Sequence, residues 1–250
     1  MKDNFSIQAK GYAQFRPTYP PEMIEYIVSF VKGRDMALDV ATGNGQVAAE
    51  LSKYFRQVHA TDISEKQLEN ATRRDNIIYK KERAEETGFG DAQFDFITVA
   101  QAIHWFDFDT FYKEVYRILK PDGIFAVMGY GLFEATDTWA DKILKHFYHD
   151  ITGPYWDPER RYLDENYTTI PFPFDEIEAK QFSSEFKWTF EQLTGYLETW
   201  SAVQHYIRNN GCNPLDILRE ELKEVWDESE GKVVFPFLLR IGAPQPPKGE

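Results

Sequence analysis

The stretch Leu38-Asp39-Val40-Ala41-Thr42-Gly43-Asn44-Gly45-Gln46-Val47-Ala48 decides how this chain is read. A short apolar strand, residues 36–40, runs into a loop of small residues. The chain then leaves as a helix from Gln46 to Phe55, with Val47, Leu51 and Phe55 turned inward. Gly43, Gly45 and Ala48 satisfy the spacing G-x-G-x-x-G/A, whose glycines let a ligand approach the backbone closely. Many tight turns share this pattern, and its place between a strand and a helix is what gives it weight. Asp39 stands four residues before Gly43. A carboxylate there opposes a pyrophosphate and suits an ammonium group, by a few kcal/mol at the effective dielectric of a partly buried site. The alternative is that Asp39 caps a local amide.

Working outward, strands and helices alternate. Pro17, Pro20 and Pro21 break any earlier helix, and Pro21 opens a new one across Glu22 to Val31. Strands are predicted at residues 57–62, 76–80, 94–100 and 124–128. Helices are predicted from Ser64 to about Arg74 and from Asp107 to Leu119, the second closed by the turn Lys120-Pro-Asp-Gly123. Ser64 with Gln67 reads as a capping box. The strands read as buried on both faces, which points to an α/β fold: a parallel sheet with helices on both sides. Asp62 ends the second strand 17 residues after Gly45, where an acidic side chain accepts hydrogen bonds from ribose hydroxyls. A plain helix cap is the other reading, but Ser64 is the better cap.

Beyond residue 130 the character changes. A helix is expected at residues 138–149, a long Pro- and Tyr-rich loop at 154–173, and strands at 177–188 and 232–241. Between those strands lie helical segments at 190–209 and 214–226, and residues 243–250 form a tail. There is no internal repeat and no low-complexity tract. The whole chain is expected to form a single domain: an N-terminal lid segment and first helix to residue 35, a cofactor-binding core over 36–130, then a lid insertion and further helices.

Composition narrows the function. The 250 residues carry 28 Lys and Arg against 41 Asp and Glu, a net charge of −13. No basic run is present, so nucleic acid and anionic membranes are disfavoured as partners. Cys212 is the sole cysteine, which excludes an internal disulfide and any multi-cysteine metal site. The least polar stretch, Gly123 to Phe133, is 11 residues with three glycines, short of the roughly 20 needed to span a bilayer. A soluble, cytoplasmic protein without a metal is expected, as monomer or homodimer.

A nucleoside ligand without phosphate but with an ammonium group fits these residues, and S-adenosylmethionine is such a ligand. The residues at 38–48 resemble the first motif of the class I S-adenosylmethionine-dependent methyltransferases, with Ala41 where the family usually has Gly. Thr61-Asp-Ile-Ser64, Arg83-Ala-Glu-Glu86, Phe94 to Ala102 and Leu119 to Phe125 resemble the motifs that follow, in the right order. The resemblance implies a Rossmann-like sheet of seven strands, the last antiparallel. It implies a cofactor set of Arg16, Asp39, Ala41, Thr42, Gly43, Gly45, Asp62 on the ribose, Ile63, Gln67, Ala84 and Glu85 beside the adenine, Ala100 and Gln101. Tyr12 to Pro20 and Ala100 to Phe106 are similar to the trans-aconitate methyltransferase-like subgroup, which implies small organic acids or related metabolites as acceptors.

His104 and Trp105 follow the fourth strand, where open parallel sheets bind ligands. His104 is a candidate general base or positioning group, and a packing histidine is the equal alternative. Arg16, among Tyr12, Phe15 and Tyr19, either pairs with a carboxylate of cofactor or substrate or stacks on those rings as lid packing. Tyr12, Tyr19, His104, Trp105, Tyr130, Trp200 and Tyr206 form the expected acceptor pocket. Two other readings share the glycine loop: an NAD-dependent oxidoreductase and a non-catalytic nucleotide-binding protein. Asp39 and the lack of a recognisable Tyr-x-x-x-Lys set count against the first.

Overall fold

A computed structural model describes residues 17–245. The expectations for Tyr12, Phe15 and Arg16 lie outside the described residues. The strands are β1 (Met36–Val40), β2 (Gln57–Asp62), β3 (Ile77–Lys81), β4 (Phe94–Ala100), β5 (Leu119–Tyr130), β6 (Glu134–Ala135), β7 (Asp175–Ile177), β8 (Phe182–Lys187) and β9 (Lys232–Ala243). The helices are α1 (Pro21–Ser29), α2 (Gln46–Leu51), α3 (Glu65–Glu69), α4 (Phe108–Ile118), α5 (Thr138–His146), α6 (Arg161–Asp164), α7 (Phe190–Glu198), α8 (Ser201–Asn210) and α9 (Arg219–Glu228).

The strands form one sheet in the order β3-β2-β1-β4-β5-β9. β1 to β5 are parallel, and β9 returns antiparallel to β5. Nine segments occupy seven positions. Val233 pairs with Ala135 on one edge of β9 and with Phe186 on the other, so β6 continues the β5 ladder while β7 and β8 share the outer edge. The seven-position sheet and its antiparallel strand are as the sequence implies. The single strand expected over 177–188 is interrupted at residues 178–181. Lys120 to Gly123 bulges out of β5, which pairs through Leu119 opposite Phe94 and again through Ile124 opposite Phe96.

The two faces of the sheet are covered separately, because successive side chains along a strand point to opposite sides. Ala37, Ala60, Phe96, Ala126 and Met128 pack with α1 and α2 through Met23, Ile27, Val47 and Leu51. Leu38, Val40, Ile97, Val99, Phe125 and Val127 pack with α4 through Phe111, Val115 and Ile118. Tertiary bonds shorten two expected helices. Thr72 N–H donates to Asn44 O at 3.0 Å, which ties the chain after α3 to the glycine loop, so the helix ends at Glu69 rather than near Arg74. The helix expected over 190–209 breaks at Trp200, whose extended backbone drops its ring among Phe133, Phe147, Tyr148, Trp156 and Tyr196. No helix of the described residues is long and apolar enough to cross a membrane.

Candidate functional site

The chain runs β1, β2, β3 outward on one side of β1, then crosses to β4 on the other side, so the switch point lies between β1 and β4. Ligands bind outside the carboxyl ends of strands at such a point. Two loops leave those ends through left-handed backbone positions. Ala41 sits at φ +54° and Gln101 at φ +58°, while Gly43 and Gly45 take φ +57° and +78°. Only glycine occupies that region without steric cost. The Ala41 that departs from the usual glycine therefore still adopts the glycine conformation.

Asp39 is 1 % exposed. Its Oδ2 accepts from Thr42 Oγ1 at 2.5 Å and from the Ala48 N–H at 3.0 Å, so it does cap the start of α2. Its Oδ1 is buried with no hydrogen-bond partner. Burial pushes the carboxyl up to about 7, against the lowering pull of those two bonds. Asp62 lies beside it. Its Oδ2 accepts from the Gly43 N–H at 2.9 Å and its Oδ1 from the Ser64 N–H at 2.8 Å, which joins the ends of β1 and β2. Ser64 caps α3 through the Gln67 N–H; Gln67 is buried, and Ile63, between Asp62 and Ser64 in the chain, is half-buried. Beyond β3, Ala84 and Glu85 are buried in a turn closed by the bridge between Arg83 and Glu86. Glu85 Oε2 stands 3.4 Å from Arg83 without hydrogen-bond alignment. Three carboxylates thus line the ends of β1, β2 and the turn after β3.

Across the switch point, half-buried Ala100 ends β4, and Gln101 clasps the end of β5. Its Nε2 donates to Tyr130 O at 3.2 Å and its Oε1 accepts from the Tyr130 N–H at 3.0 Å. The side-chain head expected at the cofactor is engaged in this clasp. His104 is 5 % exposed in a short 3₁₀ turn, Ile103–Trp105. Its Nδ1 lies 3.2 Å from Tyr167 Oη, and its ring packs on half-buried Trp105. Tyr167 is fully buried at φ +60°, held through its carbonyl by Arg240 at 3.1 Å. Tyr130 packs on Tyr19 and Phe235, and Tyr19 also packs on Phe237.

The structure therefore gathers Asp39, Ala41, Thr42, Gly43, Gly45 and Asp62 around one loop, with Glu85 beyond β3 and His104 across the switch point. Trp200 is buried in the aromatic cluster with Phe133, Phe147 and Tyr148, whereas Tyr206 on α8 packs on Tyr155 at 4.8 Å. Sequence reasoning missed Tyr167 and also Arg160, both inside the stretch read as a long loop. Their only signal was the density of Tyr, Trp and Arg there. No group of three metal-ligating side chains occurs among the described residues.

Residues 38–127 match a family described as a methyltransferase domain. A Dictyostelium discoideum protein described as a methyltransferase is 34% identical across 92% of this chain and 88% of its own length. A Saccharomyces cerevisiae protein described as an S-adenosylmethionine-dependent methyltransferase is 26% identical across 89% of each chain. Among solved structures, one described as a type II methyltransferase from Anaeromyxobacter dehalogenans superposes with a TM-score of 0.84 at 36% identity, covering 92% of this chain and 100% of that one. With the sheet order, the glycine loop and the acidic strand ends in place, the chain belongs to the class I S-adenosylmethionine-dependent methyltransferases.

Proposed function

We propose that the protein transfers a methyl group from S-adenosylmethionine to an oxygen of a small organic acid. The observation that carries this reading is the row of carboxylates Asp39, Asp62 and Glu85 along the glycine loop and its neighbours. A pyrophosphate would be repelled there. A ligand with an ammonium, a ribose and an adenine amine meets an acceptor at each. Asp39 Oδ1 suits the ammonium. Asp62 suits the ribose hydroxyls, as a carboxylate at the end of β2 tied to the glycine loop through the Gly43 N–H. Ala84 and Glu85 suit the adenine. Ala41, Thr42, Gly43 and Gly45 give the close backbone surface, with Ile63, Gln67, Ala100 and Gln101 around it. Bound there, the cofactor supplies an electrophilic methyl group on a sulfonium.

The residues contribute alignment and exclusion of water, the main levers for an in-line displacement. A carboxylate oxygen is already anionic at neutral pH and needs no base. In this reading the His104 imidazole, braced by Tyr167, orients the acceptor, with Trp105, Tyr130 and Tyr19 walling the pocket. The similarity of Ala100 to Phe106 to the organic-acid subgroup supports the same acceptor class. Calorimetry with S-adenosylhomocysteine and with NAD tests the cofactor, and S-adenosylhomocysteine release against a panel of carboxylic acids, alcohols and amines tests the acceptor. Tight NAD binding without S-adenosylhomocysteine binding would overturn the first half. Turnover of alcohols or amines but no acid would overturn the second.

A further inference from the structure

Arg160 is a guanidinium set in an aromatic box. Its Cζ lies 4.7 Å from the centre of the Trp156 ring and 5.4 Å from that of Tyr148, and those rings pack with Trp200 at 5.5 Å each. The side chain is 18% exposed. Its inner edge is committed. Nε donates to Tyr148 Oη at 2.8 Å and to Asp164 Oδ1 at 3.3 Å, and Tyr148 Oη in turn donates to Asp164 at 2.5 Å. The outer edge, Nη1 and Nη2, has no hydrogen-bond partner among the described residues. Asp157 is also close in sequence, but its carboxylate is buried 4.0 Å from His205 and makes no ion pair with Arg160.

Two features give this edge meaning. A guanidinium is a planar fork matched to a carboxylate, and its attraction is large where rings exclude water. The turn that carries it, Pro158–Arg160, packs against the turn Ile103–Trp105 that carries His104. We propose that the outer edge of Arg160 binds a carboxylate of the acceptor. This rests on the function proposed above and adds the group that selects the substrate. The carboxylate held is not the one methylated. Pairing with a guanidinium would draw electron density from the attacking oxygen, and the ester formed would lose the pair. The preferred acceptor is therefore an acid with a second, unreacting carboxylate. The carboxylate of the cofactor's methionine portion shares this chemistry, so the experiment separates the two sources.

The test is calorimetry on the full chain, saturated with S-adenosylhomocysteine, using glutarate, citrate and neutral glutaramide as probes. At least one of the two acids should bind about tenfold or more tighter than glutaramide, the scale of one charge-assisted pair. Arg160→Met should lose that preference with unchanged S-adenosylhomocysteine affinity. Arg160→Lys, which keeps the charge but not the fork, should retain part of it and serves if the methionine variant does not fold. Equal binding of acid and amide by the wild type, or undiminished acid binding by both variants, would overturn the proposal. So would loss of S-adenosylhomocysteine affinity in both variants, which would move Arg160 to the cofactor. Failure of the wild type to bind S-adenosylhomocysteine sinks the proposed cofactor instead, and the acid-against-amide comparison on the free protein still decides Arg160.

Discussion

The Gly43 N–H donates to Asp62 Oδ2 at 2.9 Å, so the carboxylate at the end of β2 holds the loop at the end of β1. In the proposed function this side chain both positions the loop and binds the ribose. Asp62→Ala should weaken S-adenosylhomocysteine binding by roughly 2 to 3 kcal/mol, the scale of charge-assisted hydrogen bonds. It should also lower stability, since the Gly43 and Ser64 amides lose their acceptor. Calorimetry paired with a urea melt reads both, and unchanged affinity in a folded variant would refute the ribose role.

Asp39 should make the ligand-free protein pH-sensitive. Its carboxyl is raised from 3.8 to about 7 in the folded state. Between those values the folded chain holds more protons than the unfolded one, so stability falls as pH rises through the window. Asp39→Asn keeps the shape and an oxygen acceptor and should remove this component. Melts of both proteins from pH 4 to 8 should diverge, with the wild type losing ground as pH rises. An ammonium ligand favours the charged carboxylate, so binding near pH 6 should release protons into the buffer.

A Cβ at Gly45 would fall well inside contact with the Tyr79 hydroxyl, at a φ of +78°. That hydroxyl is bonded to Thr72 O and does not swing away freely. Gly45→Ala should cost about 1 to 3 kcal/mol of stability. Adding Tyr79→Phe should recover part of that, a non-additive pair in a double-mutant cycle. At Ala41 the reverse change applies. Ala41→Gly relieves a left-handed alanine and should be neutral to stabilising by up to about 1 kcal/mol in urea.

His104→Ala should lower kcat with the proposed organic-acid acceptor while S-adenosylhomocysteine affinity stays put. The wild-type kcat should show no histidine limb, because an anionic oxygen needs no proton removed. A limb near the ordinary imidazole value of ~6.5, with a loss of about 10²-fold or more in the variant, would assign a general base instead. Tyr167→Phe removes only the hydroxyl at Nδ1. It should raise KM more than it lowers kcat if the pair orients the acceptor.

The sequence by itself determined the sheet and the position of the glycine loop in it. Strands buried on both faces and a glycine loop between strand and helix are local patterns, and they put Asp39 and Asp62 near strand ends and Gly43 and Gly45 in the loop between β1 and α2. Local pattern also put His104 just past β4. The tertiary structure alone decided what these side chains touch. Asp39 both caps α2 and keeps one buried oxygen without a partner, because α2 packs directly over the end of β1. Gln101 clasps the Tyr130 backbone across two strands 29 residues apart in the chain. Tyr167 and Arg160 come from a segment with no periodicity, and long-range packing of aromatic rings, which no spacing rule encodes, brings them to the turns beside His104.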